Sequence, residues 1–255
     1  MLFGSKKQLL FVGGNPRSGT TALWRLLNGH PEVFIGVERY FRHFEKRRLR
    51  PFHFRKGRFL NIKKRDTHEK VSSQFDDREK ASAAYDRAKI VGDKMPPIVR
   101  YYDMIWERFP ASTILYILRE PLPVAESYQK RKDNPDDGWN RGYSEAIDEW
   151  NHTVAETLRQ IEAGRKIIPV LYERLFSSRS AVDAMFKALG LDPAEQDQSV
   201  TDAVLGKFQD LASAPASQNE DIRREVAERA LMEPYRKIAK HFAIGDGSAA
   251  LAATG

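Results

Sequence analysis

Near the amino end, Leu9-Leu10-Phe11-Val12-Gly13-Gly14-Asn15-Pro16-Arg17-Ser18-Gly19-Thr20-Thr21 has the residue types of an anion site. A short apolar run feeds a glycine turn, and the turn feeds an amphipathic stretch, Ala22 to Asn28, that ends at Gly29. Strand, glycine turn and helix start together present unpaired backbone N–H groups and the positive end of a helix dipole to a phosphate. The spacing from Gly14 to Gly19 follows G-x-x-x-x-G-K-[ST] except at one position, where Thr20 replaces the Lys. The cation sits instead at Arg17, inside the loop. The absent Lys is the group that reaches the β- and γ-phosphates of a nucleoside triphosphate, so the departure argues against ATP.

The elements needed to position such a loop are legible along the rest of the chain. Gln8–Gly13, the stretch His30 to Gly36, Lys89–Lys94, Thr113–Leu118 and Lys166–Tyr172 read as short strands. Thr113–Leu118 is apolar throughout and β-branched at both Thr113 and Ile114, as a central parallel strand should be. Helices are predicted from Ala22, from Pro96-Pro97 to Phe109, over Pro121–Arg131, over Tyr143–Ala163, and through most of the remainder to Phe242. Thr67 to Arg87 reads as polar and weakly helical, and Asn134-Pro135-Asp136-Asp137-Gly138 as a loop. Strands alternating with helices predict an α/β fold of three layers, a mostly parallel central sheet with helices on both faces. Ligands of such sheets sit beyond the carboxyl ends of the strands. The loop Gly14–Thr21, Lys94, Arg119 and Tyr172 each fall just after a strand candidate. One domain over 1–243 is expected, with a flexible tail over 244–255.

Pro16-Arg17-Ser18-Gly19-Thr20-Thr21 resembles the 5′-phosphosulfate loop of the sulfotransferases that use 3′-phosphoadenosine-5′-phosphosulfate (PAPS), in their bacterial and Golgi-type branch. The resemblance covers roughly residues 8 to 176 and implies a P-loop-like fold. It implies that Arg17, Ser18, Gly19, Thr20 and Thr21 hold the 5′-phosphosulfate of PAPS, and that the product is 3′,5′-bisphosphoadenosine. Arg119 ends a strand and Ser127 stands eight positions on, as in the family's 3′-phosphate element. The physics agrees, since Arg offers a planar fork to phosphate and a Ser hydroxyl adds a donor. Lys166 to Leu175 resembles a strand ending in Tyr-Glu, which would place Tyr172 near the adenine; burial in the core is the competing role for that ring.

Glu38, in Gly36-Val37-Glu38-Arg39-Tyr40-Phe41, resembles the family's catalytic carboxylate. A carboxylate within hydrogen-bond reach takes the proton from an acceptor hydroxyl that is otherwise a poor nucleophile. Pairing with neighbouring cations is its alternative fate. His30 is the rival base, although the His-Pro turn suits a structural role. Lys94, in Gly92-Asp93-Lys94-Met95-Pro96, resembles a Lys-x-Pro element whose cation neutralises the leaving oxygen. The implied activity is in-line sulfuryl transfer, without a metal, to a hydroxyl on a glycan, a lipid-linked sugar, a peptide or a small alcohol. Beyond Ser177 nothing resembles the family; Arg223, Arg224 and Lys237 are candidates to close over the nucleotide.

Composition narrows the alternatives. With no Cys, disulfides and thiolate chemistry are excluded. No apolar run approaches the ~20 residues of a membrane span. The start leads directly into the first strand, so a cleavable signal is not expected and the cytoplasm is the expected location. The net charge of +7 is concentrated: Arg39 to Arg65 holds twelve Lys/Arg and one acid, Glu45, with Tyr40, Phe41, Phe44, Phe52, Phe54 and Phe59 interleaved. Such a run is a solvated face, an attractor for an anionic acceptor or donor, or a nucleic-acid surface. No nucleic-acid motif accompanies it, so no stable nucleic-acid partner is expected. The rival functions are a P-loop kinase or NTPase and a non-enzymatic basic-aromatic binding module.

Overall fold

Short apolar runs pair side by side because each buries both of its faces. In the computed structural model, which describes residues 7–67, 73–212, 219–241 and 243–244, they form five strands: β1 (Gln8–Gly14), β2 (Val33–Val37), β3 (Ile90–Lys94), β4 (Thr113–Leu118) and β5 (Ile167–Leu171). All pair in parallel, in the order β2-β3-β1-β4-β5. Helices α1 (Thr20–Asn28), α2 (Phe41–Glu45), α3 (Lys56–Phe59), α4 (Arg78–Arg87), α5 (Tyr102–Arg108) and α6 (Pro121–Lys132) intervene. They are followed by α7 (Tyr143–Glu162), α8 (Tyr172–Leu175), α9 (Arg179–Ala188), α10 (Gln198–Ala212), α11 (Glu220–Arg229) and α12 (Met232–His241). Among the described residues no helix is long and apolar enough to cross a membrane.

The two-residue alternation of the strands divides the core. Leu10 and Val12 of β1, with Leu115 and Ile117 of β4, face Leu23, Leu26, Met185 and Phe186 from α1 and α9. Phe11, Ile114 and Tyr116 face the other way, towards Trp106, Val124, Tyr128 and Trp150 from α5, α6 and α7. Neighbouring strands β1 and β4 therefore hand the chain to helices on opposite faces, α1 and α6. A crevice opens between their carboxyl ends, as it does wherever consecutive connections diverge.

Three expectations are corrected. The segment after Pro96-Pro97 is a 3-10 turn, Ile98–Tyr101, before α5 begins. Ile98 is drawn tight beneath β1, where Gly13 leaves room: a Cβ there would sit 2.1 Å from Ile98 Cγ2. Arg39–Arg65 is not one solvated face. Its rings Tyr40, Phe44, Phe54 and Phe59 are core residues and Arg39 is fully buried; Phe52 is 48% exposed. Tyr172 does not end β5 but starts α8. At the far end, Ile244 pairs with Val170 of β5, and the rest of the expected tail, 245–255, lies outside the described residues.

Candidate active site

Gly19 makes the sharp end of the glycine loop possible. It caps α1 in the left-handed region, φ 85°, and a Cβ there would sit 2.6 Å from the Tyr172 ring. A glycine has no Cβ penalty at that backbone conformation and no side chain to collide. Among the described residues no side chain caps α1, so its first-turn N–H groups face outward for a ligand. Ser18 Oγ is fully buried yet makes no hydrogen bond among the described residues, and neither does the buried Nε of Arg119. Orphaned buried polar atoms are rare. Here two lie at the same corner.

The two predicted anion elements meet. Arg17 Nε donates to Ser127 Oγ at 2.9 Å, and Arg119 Nη1 donates to the Arg17 carbonyl at 3.1 Å. Arg119 is seated by Trp150 Nε1, which donates to its carbonyl at 2.9 Å, and by the Tyr172 ring, 4.1 Å beneath its guanidinium. Desolvation pushes the Arg17 pKa down, and the charges of Arg131 and Arg119 push it further. Arg131 stands one helical turn beyond Ser127 on α6 and is forked onto Asp137 by two 2.6 Å hydrogen bonds. Asp137 thus answers Arg131 and, at longer range, Arg17, which leaves positive charge in excess and suits a ligand carrying several negative charges.

These groups open on a cleft of about 580 Å³ lined by Arg17, Gly19, Thr20, Thr21, Arg119, Ser127 and Tyr172. Ser18 lies behind it. The opposite wall is α10, through Val204, Lys207 and Phe208. Gln196 pins that helix's start by donating to the Leu26 carbonyl at 3.0 Å, and Phe208 packs on Tyr172 at 5.5 Å. Tyr172 is a core ring, 7% exposed, and it also lines the cleft.

Glu38 and Lys94 stand on the other flank of the loop and do not line this cleft. They end adjacent strands, and Lys94 Nζ donates to Glu38 Oε1 at 2.7 Å, with Lys94 nearly buried and Glu38 partly open. The Glu38 backbone is left-handed, φ 48°. The turn after it is held by Asp93, whose carboxylate accepts the N–H of Arg39 and of Tyr40, each at 2.9 Å. Burial pushes the Asp93 carboxyl up to about 7, against these two hydrogen bonds and the Arg39 charge. Arg39 Nη1 donates to Asp66 Oδ2 at 2.7 Å, both side chains fully buried. Asp66 also receives Arg58, His43 and the Lys63 N–H. Burial raises its pKa, but hydrogen bonds from Arg58 and Arg39 outweigh that and hold it well below the usual carboxylate range.

His30 is structural. It is buried, its Nδ1 accepts the Glu32 N–H at 3.2 Å, and its Nε2 faces the Asp192 carbonyl at 2.9 Å. Of the late cations, Arg224 pairs with Asp221 and Lys237 with Glu162; neither they nor Arg223 line the cleft. Lys207 and Arg131 were missed. The i, i+4 relation of Ser127 to Arg131 was the available signal for the second. Among the described residues no group of three or more His, Asp or Glu is arranged to hold a metal ion.

A family model described as "Sulfotransferase family" matches residues 10–195. That span includes every candidate residue predicted from sequence except the late cations, and it ends before α10. The chain is 27% identical over 199 residues to protein-tyrosine sulfotransferase 2 of Gallus gallus, covering 74% of this chain and 53% of the relative. It is 25% identical over 194 residues to protein-tyrosine sulfotransferase 1 of Danio rerio, covering 68% and 50%. It thus spans about half the length of these curated relatives. A crystal structure of a sulfotransferase from Alicyclobacillus acidocaldarius superposes with a TM-score of 0.55 at 17% identity, covering 88% of this chain and 91% of that one, a likeness of fold.

Proposed function

The chain belongs to the sulfotransferase family, and on that premise we propose that it moves the sulfuryl group of PAPS to an acceptor hydroxyl by in-line transfer. The observation that carries the reading is the junction of the two anion elements, Arg17 bonded to Ser127 and Arg119 to the Arg17 carbonyl, beside an uncapped helix start. PAPS supplies the activated sulfuryl group when bound. Thr20, Thr21 and the first-turn amides of α1 would hold its 5′ end, with the orphaned Ser18 hydroxyl behind them. Arg119 and Ser127 would hold the 3′-phosphate, with Arg131 one turn beyond Ser127 adding positive charge, and Tyr172 and Phe208 would flank the base.

Glu38 takes the proton of the acceptor. Its bond to Lys94 holds the carboxylate at the loop until the acceptor arrives, and places the ammonium where charge develops on the leaving oxygen. Arg17 serves the same charge from within the loop. Catalysis then rests on positioning and preorganised electrostatics, with side-chain cations doing what a metal does elsewhere. Because the named relatives are protein-tyrosine sulfotransferases, a tyrosine hydroxyl is the first acceptor to test. Its intrinsic acidity, near pKa ~10, makes it easier to deprotonate than an alcohol.

The experiment is transfer of labelled sulfate from PAPS to a tyrosine peptide, a hexosamine disaccharide and a small alcohol, beside calorimetry with 3′,5′-bisphosphoadenosine and with magnesium-ATP. Transfer to one acceptor together with preference for the bisphosphate supports the reading. Tight magnesium-ATP binding with indifference to the bisphosphate removes it.

A further inference from the structure

Asp93 and Lys94 are successive residues at the end of β3, and both grip the same turn. Lys94 does so through the Glu38 side chain at 2.7 Å and by accepting the Glu38 N–H at 2.9 Å. Asp93 does so through the next two backbone amides, Arg39 and Tyr40, one on each carboxylate oxygen. We propose that Asp93 is the positioning residue of Glu38: its carboxylate, held between those two amides, fixes the turn that aims the base at the glycine loop. The inference rests on the reading of Glu38 as the base.

Four observations carry it. Asp93 is fully buried, so no water competes for its oxygens. Glu38 sits at φ 48°, a conformation that a non-glycine residue keeps only where its surroundings over-determine it. Gly36 leaves the space required, since a Cβ there would stand 3.0 Å from Asp93 Oδ1 and 2.7 Å from the Arg39 Cβ. The Arg39 side chain is pinned separately by Asp66 and by the Phe59 and Asn61 carbonyls. Residue 39 is thus clamped at backbone and side chain, and Glu38, next to it, is the member of the turn whose carboxylate meets Lys94.

Asp93→Asn keeps the shape but offers one acceptor oxygen where two amides need one each. In this variant kcat is expected to fall about a hundredfold, the scale of a misplaced catalytic group. KM for PAPS and affinity for 3′,5′-bisphosphoadenosine stay within about twofold, because that cleft lies across the loop. Amide exchange of Arg39 and Tyr40, followed by NMR, accelerates. An unchanged kcat overturns the proposal, and so does a parallel fall of kcat and nucleotide affinity, which a general packing role would give. Should Asp93→Asn fail to fold, Gly36→Ala presses on the same contact and is read the same way. If Glu38→Gln retains turnover, Glu38 is not the base; the exchange of the two amides then decides whether Asp93 holds the turn, and unchanged exchange rejects it.

Discussion

Arg17 Nε and Ser127 Oγ lie 2.9 Å apart although 110 residues separate them in the chain. The contact ties the glycine loop after β1 to the helix after β4, across the crevice where the two connections diverge. The loop, the end of β4 and the α6 face are therefore one continuous surface, the one proposed to hold the nucleotide, and their substitutions should behave as a group.

Arg119→Ala is expected to weaken 3′,5′-bisphosphoadenosine binding by about tenfold to a hundredfold, the range for removing a hydrogen bond to a charged group. Ser127→Ala and Arg131→Ala should follow more mildly. All three should weaken 3′,5′-bisphosphoadenosine binding more than 5′-AMP binding, since the latter ligand lacks the 3′-phosphate. Calorimetry with both nucleotides checks it; equal losses for both would place these groups elsewhere on the ligand.

Glu38→Gln should lower kcat by about 10²- to 10⁴-fold, the usual worth of a general base, while bisphosphate affinity is retained. Dialysis against EDTA should leave the wild-type rate unchanged. Sulfate transfer with and without added magnesium measures the second point, and a lost rate restored by the metal would contradict it.

Asp66→Ala leaves Arg39 buried without its partner. Breaking a buried pair in this way costs about 3–5 kcal/mol, and urea titration reads it directly. A loss below about 1 kcal/mol would mean that the Phe59 and Asn61 carbonyls suffice for the guanidinium.

Asp93 predicts a pH dependence of stability. Its carboxyl is raised by burial to about 7 from the ordinary 3.8. The associated stability is fully present below the unfolded value and is lost as pH rises through about 7. Relative to Asp93→Asn, the wild type should lose at most about 1.4 kcal/mol per pH unit between these limits. His53 works in the opposite sense. Burial lowers it from 6.5 to about 4, so its contribution is present above 6.5 and is lost as pH falls towards 4. Urea titrations of wild type and variant from pH 4 to 8 separate the two.

The loop and its two flanking elements were legible because they are local: an apolar run, a glycine turn and a cation at fixed spacing. The three-layer parallel sheet followed from the alternation of runs. The Glu38–Lys94 bond was not legible, because it requires β2 and β3 to be neighbours, and strand order is a non-local property. The count of twelve cations to one acid stopped at Arg65, one residue short of Asp66, where Arg39 and Arg58 find their counter-charge. Aromatic residues between charges suggested an outer surface, yet Tyr40, Phe44, Phe54 and Phe59 alternate inward to fill the space beside β1 and β2. Lys207 had no local signature, since its place comes from the packing of α10 along α1.

The residue after the proposed base is nailed to Asp66, at the far end of the basic stretch. That stretch is consequently a brace as well as a surface. Exchanging it wholesale for another loop would unseat Glu38, so a change of acceptor preference has to proceed by single replacements on its outward side, with the inward residues kept.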